Sequence, residues 1–219
     1  MKLSKQGSVV NAILLDFPWA SILGDAYKQF RKILRGFSQE GIYEVLDYHS
    51  TLDIMDASGK KAHFSKIKKI RYLQDEVIAY QDHAWGDGKI LQNYKCSPGK
   101  AVDQYRAGFK TLVLISLRQI KNRGDTDKFY IEWDIQDGFL KKDGFWGTDI
   151  TFRTKQISAE VIFPQKRKPY HVVVEETNRR KVQYLSKDSF QHLPDGRIKV
   201  GFKIKKPRLY EHYLLKWRW

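Results

Sequence analysis

The chain has 219 residues, with 40 Lys and Arg against 25 Asp and Glu, and a formal net charge of +15 at pH 7. This length suffices for one large domain or two modest ones, each with a hydrophobic core. Because 42% of the residues are hydrophobic and 14% aromatic, the composition excludes a disordered basic tail. The longest apolar runs, residues 9–15 and 112–117, are far shorter than the roughly 18 residues needed to span a bilayer.

The cysteine content and the first residues predict the cellular setting. The single cysteine, Cys96, excludes an internal disulfide and a thiolate-rich zinc site. Residues 1–15 do not match a signal peptide, because Asn11 and the following Asp16 interrupt the apolar part. We therefore expect a cytoplasmic protein without integral membrane association.

The first segment, residues 1–40, is predicted to contain an amphipathic helix. Asp16-Phe17-Pro18 is typical of a helix entry, and Gly36 is a suitable stop. Apolar residues recur there at spacings of three and four, namely Trp19, Ile22, Leu23, Tyr27, Phe30, Ile33, Leu34 and Phe37. Two roles stay open for this face. It covers a sheet of the same protein, or it docks onto a partner or an anionic membrane surface through Trp19, Ile22, Leu23, Tyr27 and Phe30.

From Tyr43 onward the segments shorten, their period drops to about two, and β-branched and aromatic residues dominate. The predicted strands lie near residues 43–55, 62–64, 67–73, 77–80, 90–95, 110–120, 129–135, 145–152, 156–163, 171–176, 182–185, 198–204 and 209–219. The predicted fold class is therefore mainly β: an antiparallel β-sandwich-like body with an N-terminal amphipathic helix.

Two predicted strands carry specific expectations. The segment 111–117 is apolar on both sides of the pleat, which predicts a central strand covered on both faces. The last strand alternates so that one side carries Leu209, Glu211, Tyr213, Leu215, Trp217 and Trp219. We expect this strand to be part of the core rather than a loose tail.

The polar loop 121–127 is the best internal boundary, since it separates two series of strands. It predicts a first β module at residues 41–122 and a second, basic β module at residues 123–219. These are either two packed modules or the two sheets of one large sandwich.

The positive charge is concentrated near the carboxyl end. Residues 153–219 carry 17 Lys or Arg and 6 Asp or Glu, so this third holds +11 of the total +15. A second, local basic run consists of Lys60, Lys61, Lys66, Lys68, Lys69 and Arg71. The candidate binding residues are three C-terminal basic groups and the tyrosines near them: Lys166, Arg167, Lys168, Tyr170, Arg179, Arg180, Lys181, Tyr184, Lys203, Lys205, Lys206, Arg208 and Tyr210.

Three interpretations of these basic groups stay open. A hairpin would hold the first two groups at opposite ends of one strand, about 20 Å apart at a rise near 3.3 Å per residue. Phosphates spaced along a nucleic acid would then contact both groups. The nearby tyrosines would then stack with bases. An acidic protein face satisfies the same charges. The groups also fit a solvated surface whose charges keep strand edges from pairing.

Residue patterns give little support for catalysis. The sequence has no P-loop, no G-x-S-x-G, no H-E-x-x-H and no G-x-G-x-x-G. Cys96 precedes a Pro-Gly turn and fits a small buried residue better than a nucleophile. His49 and His83 have carboxylates nearby in sequence and would suit a metal or an acid–base pair, but they lie on different predicted strands. We expect no catalytic residue, no cofactor and no bound metal.

The sequence therefore predicts a non-catalytic, β-rich binding or adaptor subunit of a cytoplasmic multiprotein complex. Its basic C-terminal third would contact an acidic protein or nucleic acid. One alternative is a dedicated RNA- or DNA-binding protein. Another is a small hydrolase or metal-dependent enzyme that uses His49, His83 and Cys96. The oligomeric state stays open.

Overall fold

The computed structural model describes residues 41–219. The predicted N-terminal helix, with Trp19, Ile22, Leu23, Tyr27 and Phe30, lies outside the described residues. Within residues 41–219 no helix is long and apolar enough to cross a membrane. The prediction of a mainly β protein built from antiparallel sheets is confirmed for this part of the chain.

The described residues form a series of strands with one short 3-10 turn at Lys187–Ser189. In chain order the strands are β1 (Tyr43–Ile54), β2 (Lys61–Tyr72), β3 (Val77–Ala84), β4 (Lys89–Ser97), β5 (Lys100–Ala107), β6 (Lys110–Lys121), β7 (Thr126–Gln136), β8 (Asp143–Asp149), β9 (Gln156–Phe163), β10 (Tyr170–Glu176), β11 (Lys181–Tyr184), β12 (Phe190–His192), β13 (Ile198–Lys205) and β14 (His212–Arg218).

These strands form three sheets. The largest has seven strands in the order β12-β13-β9-β1-β2-β7-β4, the second has the order β11-β10-β14-β8, and the third has the order β3-β6-β5. The pairing is antiparallel throughout these sheets except between β1 and β9, which run parallel. The seven-stranded sheet takes β1, β2 and β4 from the predicted first module and β7, β9, β12 and β13 from the second. It therefore crosses the predicted boundary at residues 122 and 123.

The inner face of the seven-stranded sheet packs against both smaller sheets. Phe64 of β2 contacts Trp146 of β8, with ring centroids 4.5 Å apart. Tyr80 of β3 stacks on Phe129 of β7 at 4.1 Å. These contacts place one hydrophobic core between the large sheet and the two small ones, because apolar side chains alternate toward that side of each strand.

The C-terminal strand β14 lies between β10 and β8, and its alternation is as predicted. Tyr213, Leu215 and Trp217 are each at most 2% exposed. Trp217 packs edge-on against Phe163 of β9 at 5.1 Å. The end of the chain is therefore part of the core.

The strand β6 is central in the three-stranded sheet, but its two faces differ. Val113, Ile115 and Leu117 are buried, whereas Leu112 and Leu114 on the other side of the pleat are only partly buried. The strand is central as predicted, and its second face is covered only in part. A strand of a three-stranded sheet packs one face on the core, so the other face lies nearer the surface.

Candidate functional site

Two loops distant in sequence meet at one end of the four-stranded sheet. Asn178, in the turn between β10 and β11, donates its side-chain amide to the carbonyl oxygen of Tyr210 at 2.5 Å. The backbone N–H of Thr177 donates to the carbonyl of His212 at 3.0 Å. The turn that carries Arg179 and Arg180 is therefore fixed beside the loop that precedes β14.

A buried carboxylate holds this junction. Glu211 is 3% exposed and accepts hydrogen bonds from the backbone N–H groups of Asn178, at 2.8 Å, and His212, at 3.0 Å. Arg180, Lys206 and Tyr210 adopt left-handed backbone conformations, with φ values of 52°, 52° and 62°. Such conformations persist in non-glycine residues when surrounding contacts determine them. The loops therefore present their side chains from a fixed backbone.

Some of the cations at this junction are paired and others are not. Arg179 and Lys181 share the carboxylate of Glu176, at 3.2 and 3.5 Å. A second set of exposed residues, which we call the basic end surface, consists of Arg180, Lys205, Lys206, Arg208 and Tyr210. Among residues 41–219, no carboxylate forms an ion pair with the four cations of this set. Tyr210 is 71% exposed among these cations.

Other predicted binding residues extend from this surface. Lys203 is exposed on β13, two residues before Lys205. Tyr184 is 73% exposed on the edge strand β11, whose four residues are all exposed. The turn that carries Arg179 and Arg180 of the second predicted group therefore contacts the loop that follows the third group.

The first predicted basic group lies apart from the other two. Lys166, Arg167 and Lys168 precede β10, and Arg179 to Lys181 follow it, so the two groups lie at opposite ends of that strand. Lys166 and Lys168 are exposed, and Tyr170 is 52% exposed beside them.

Arg167 is engaged within the protein. Its guanidinium lies 3.8 Å from the centroid of the Trp219 ring. It also donates to the carbonyl oxygens of Ala57 and Phe139, both at 3.3 Å, and of Lys141, at 3.0 Å. These contacts use three of its five N–H donors and make it an internal link between loops.

The residues of the predicted enzymatic alternative lie in different surroundings. His49 stands on the outer face of β1, where Nδ1 lies 2.9 Å from the Ser158 hydroxyl and Nε2 lies 3.9 Å from Glu160. Burial raises the pKa of the Cys96 thiol. None of the hydrogen bonds and ion pairs formed between residues 41 and 219 joins His49, His83 and Cys96 to one another. The same part of the chain contains no group of three or more His, Cys, Asp or Glu suited to a metal ion.

A cleft that the sequence analysis missed opens on the inner face of β1 and β2. It lies between the end of β3 and the strand β8, and its cavity has a volume of about 50 Å³. We call it the inner cleft. Its lining includes Tyr48, Phe64, Lys66, Lys68, His83, Trp133, Trp146, Thr148, Asp149 and Phe152.

A buried ion pair stands at this cleft. The Lys66 ammonium donates to the carboxylate of Asp82, and both side chains are nearly inaccessible to solvent. The Tyr94 hydroxyl donates to the same carboxylate at 3.1 Å. Burial is the largest single effect and would raise the pKa of Asp82, but the charge and hydrogen bond of Lys66, together with His83 and the charge of Lys68, outweigh it and lower the pKa below its usual value.

Lys68, the next inward residue of β2, has no such partner. Its ammonium lies 5.6 to 5.9 Å from the ring centroids of Tyr43, Tyr48 and Tyr80. Burial, and then the charge of Lys66, lower its pKa to about 8. Among residues 41–219, no carboxylate forms an ion pair with Lys68. A partly buried cation is thus held among three aromatic rings.

The other charged groups at the cleft are neutralised. Asp149 pairs with Lys110 and with His212. Burial, and then the charge of Lys66, lower the pKa of His83 to about 4, so this imidazole is neutral at pH 7. Lys68 therefore sets the net charge of the inner cleft.

No family model matches the chain, and no curated protein matches it. Among solved structures it is similar to the M1 zinc metallopeptidase from Deinococcus radiodurans, at 8% identity and a TM-score of 0.44, over 79% of this chain and 42% of that one. It is also similar to a two-domain M1 zinc metallopeptidase bound to L-arginine, at 8% identity and a TM-score of 0.47, over 80% of this chain and 42% of that one. The chain thus matches less than half the length of these proteins, and a likeness at this level supports no statement about activity.

Proposed function

We propose that this protein is a non-catalytic binding protein, an adaptor that contacts an acidic surface of a partner protein through the basic end surface. The observation that carries the proposal is the junction of two loops by Asn178, Tyr210 and Glu211. That junction holds the β10–β11 turn, which carries Arg180, beside the loop that carries Arg208 and Tyr210.

The arrangement favours association in two physical ways. Complementary charge steers encounter and fixes orientation. A surface already fixed in its bound form loses little conformational freedom on binding, so less of the interaction energy is spent on ordering. Exposed tyrosine and arginine, such as Tyr210 and Arg208, are also enriched at protein interfaces.

A protein partner is favoured because the surface has an apolar neighbour. The edge strand β11 exposes Val182 at 50% and Tyr184 at 73%, and it begins at Lys181, directly after the basic turn. Apolar contact adds affinity that salt does not screen. A mixed apolar and basic surface therefore suits an acidic protein face.

The second candidate function is RNA or DNA binding. It is favoured by the exposure of Tyr210 among unpaired cations, since an aromatic ring beside positive charge is the pattern that holds single-stranded nucleic acid. In that case the exposed Lys203, Lys205 and Lys206 would contact phosphates.

The test is affinity purification from the native host at low and high salt, with and without nuclease. The test variant carries Arg180→Ala, Lys206→Ala and Arg208→Ala. The matched control carries Lys89→Ala, Lys100→Ala and Lys142→Ala, which remove the same charge from exposed sites elsewhere.

We expect the wild type and the control to retain one protein partner at high salt after nuclease treatment, and the test variant to lose it. Capture of nucleic acid alone, released by moderate salt, would favour the second candidate. Equal capture by the test and control variants would show that the basic end surface binds neither a partner protein nor nucleic acid.

A further inference from the structure

We propose that the inner cleft binds a small monocarboxylate, whose carboxylate pairs with the Lys68 ammonium and whose apolar part lies against the aromatic wall. This site is independent of the basic end surface and goes beyond the proposed adaptor function.

Among residues 41–219, the charges around the cleft leave Lys68 without an ion-pair partner. Asp82 is occupied by Lys66 and by the Tyr94 hydroxyl, and Asp149 is occupied by Lys110 and His212. Removing a cation from water is costly unless an anion compensates it. A ligand carboxylate supplies that anion at Lys68.

The neighbouring surfaces define the rest of the ligand. Tyr48, Phe64, Trp133, Trp146 and Phe152 line the cleft, and Thr148 adds a hydroxyl. Small-molecule sites commonly combine such apolar walls with a few polar groups that fix orientation. The aromatic lining therefore fits the hydrocarbon part of the ligand, and Lys68 fits its charged end.

The size and charge of the cleft limit the ligand class. A cavity of about 50 Å³ admits only a small molecule. A single uncompensated ammonium matches one negative charge, whereas phosphate sites use arginine forks or several converging backbone N–H groups. A monocarboxylate of two or three carbons, such as acetate or propionate, satisfies both limits.

Binding of such an anion depends on the protonation of Lys68. The groups that face its ammonium from β1, β2 and β3 are Tyr43, Tyr48, Lys66, Tyr80, Asp82 and His83. The tyrosines are neutral near pH 8, His83 is neutral, and Asp82 stays ionised with Lys66. We therefore expect affinity to fall as the pH rises above about 8, where Lys68 loses its proton.

The experiment titrates the full chain with sodium acetate and with sodium propionate. Tryptophan fluorescence reports binding because Trp133 and Trp146 line the cleft, and a thermal-shift assay gives an independent readout. The test variant is Lys68→Met. The matched control is Lys69→Met, which changes the adjacent, exposed lysine of the same strand.

We expect saturable binding of one or both probes to the wild type and to Lys69→Met. Affinity should fall by about tenfold or more in Lys68→Met, which corresponds to the loss of a charge-assisted hydrogen bond. Absence of saturable binding to the wild type, or equal affinity in Lys68→Met, would overturn the proposal.

The wild type alone provides a second test, which decides the matter if Lys68→Met does not fold. Affinity for the bound probe should decrease between about pH 7 and about pH 10, because deprotonation of Lys68 removes the counter-charge. An affinity that stays constant over that range would overturn the site. Neither result bears on the adaptor function, which is tested at the other surface.

Discussion

The guanidinium carbon of Arg167 lies 3.8 Å from the centroid of the Trp219 ring. The same guanidinium donates to carbonyl oxygens of the β1–β2 hairpin and of the loop between β7 and β8. One side chain thus links these two segments to Trp219. Its role is internal, although the sequence groups it with Lys166 and Lys168.

Replacement of Arg167 by Ala should lower the free energy of unfolding by about 1–3 kcal/mol, because the cation–π contact and the hydrogen bonds to three carbonyls are lost. Urea denaturation measures this change. The exposed neighbour provides the control: Lys168→Ala should shift stability by about 0.5 kcal/mol or less. Equal stability of the two variants would show that the Arg167 contacts contribute little.

Trp217 is expected to be one of the costliest residues of the core to truncate. It is 2% exposed and contacts Phe163 and Phe139. Trp217→Ala should lower the free energy of unfolding by about 3–5 kcal/mol, because it leaves a large cavity. Phe145→Ala, on the 42% exposed aromatic of the adjacent strand β8, should cost much less in the same denaturation assay. A smaller loss in Trp217→Ala than in the control would contradict this packing.

We expect Lys66 and Asp82 to contribute to the free energy of unfolding as a strongly coupled pair, because both are buried. Asp82→Asn should lower the free energy of unfolding by about 3–5 kcal/mol, because it leaves the Lys66 ammonium buried without an anion. The double variant Lys66→Met with Asp82→Leu should recover most of that loss, since neither charge then remains. Denaturation of the single variants Lys66→Met and Asp82→Leu and of the double variant measures the coupling energy.

The exposed pair of Lys95 and Glu132 is the matched control for that cycle. Their atoms lie 3.0 Å apart, but Lys95 is 74% exposed. Lys95→Met should change stability by less than about 1 kcal/mol, because solvent screens the interaction. Additive effects of the two changes at Lys66 and Asp82 would rule out a coupled buried pair.

The lowered pKa of Lys68 predicts that the stability of the protein rises with pH. This pKa is about 8 in the folded protein and near the ordinary 10.5 in the unfolded chain. Between these values the unfolded chain binds more protons, so the free energy of unfolding increases with pH. Urea denaturation between about pH 8 and about pH 10 should show a steeper rise in the wild type than in Lys68→Met. Parallel pH profiles would show that Lys68 titrates normally.

The strand pattern was predictable wherever apolar alternation was unbroken. The segments that became β1, β9 and β14 were predicted nearly to their ends, because each keeps buried residues on one side of the pleat. The strand β5 was missed. It lies at the edge of its sheet and has no buried residue, so its sequence carries no apolar alternation.

The inner cleft was not predictable, because it depends on two lysines that occupy core positions. The sequence analysis split β2 into two short strands and assigned Lys66 and Lys68 to a basic run. In the structure β2 is continuous, and its inner face carries Ala62, Phe64, Lys66, Lys68, Ile70 and Tyr72. Period-two spacing does place both lysines inward, but the groups that accommodate them, Asp82 for Lys66 and three tyrosine rings for Lys68, come mostly from other strands.

A bulge in β1 explains a second feature that could not be predicted from the sequence. The pairing of β1 with β2 shifts between Val45 and Asp47, so the buried positions change from odd numbers to even ones within the strand. Such an insertion reverses which side chains face the core beyond it. His49 thereby faces outward and Tyr48 faces the cleft, a distinction that local sequence does not provide.

The parallel contact between β1 and β9 has a consequence for synthesis on the ribosome. Leu52 of β1 aligns with Val161 of β9, so one long edge of β1 stays open until the chain has grown past residue 163. Contacts between segments so far apart form slowly, and open strand edges attract other chains. The nascent protein should therefore require protection by chaperones until β9 has emerged from the exit tunnel.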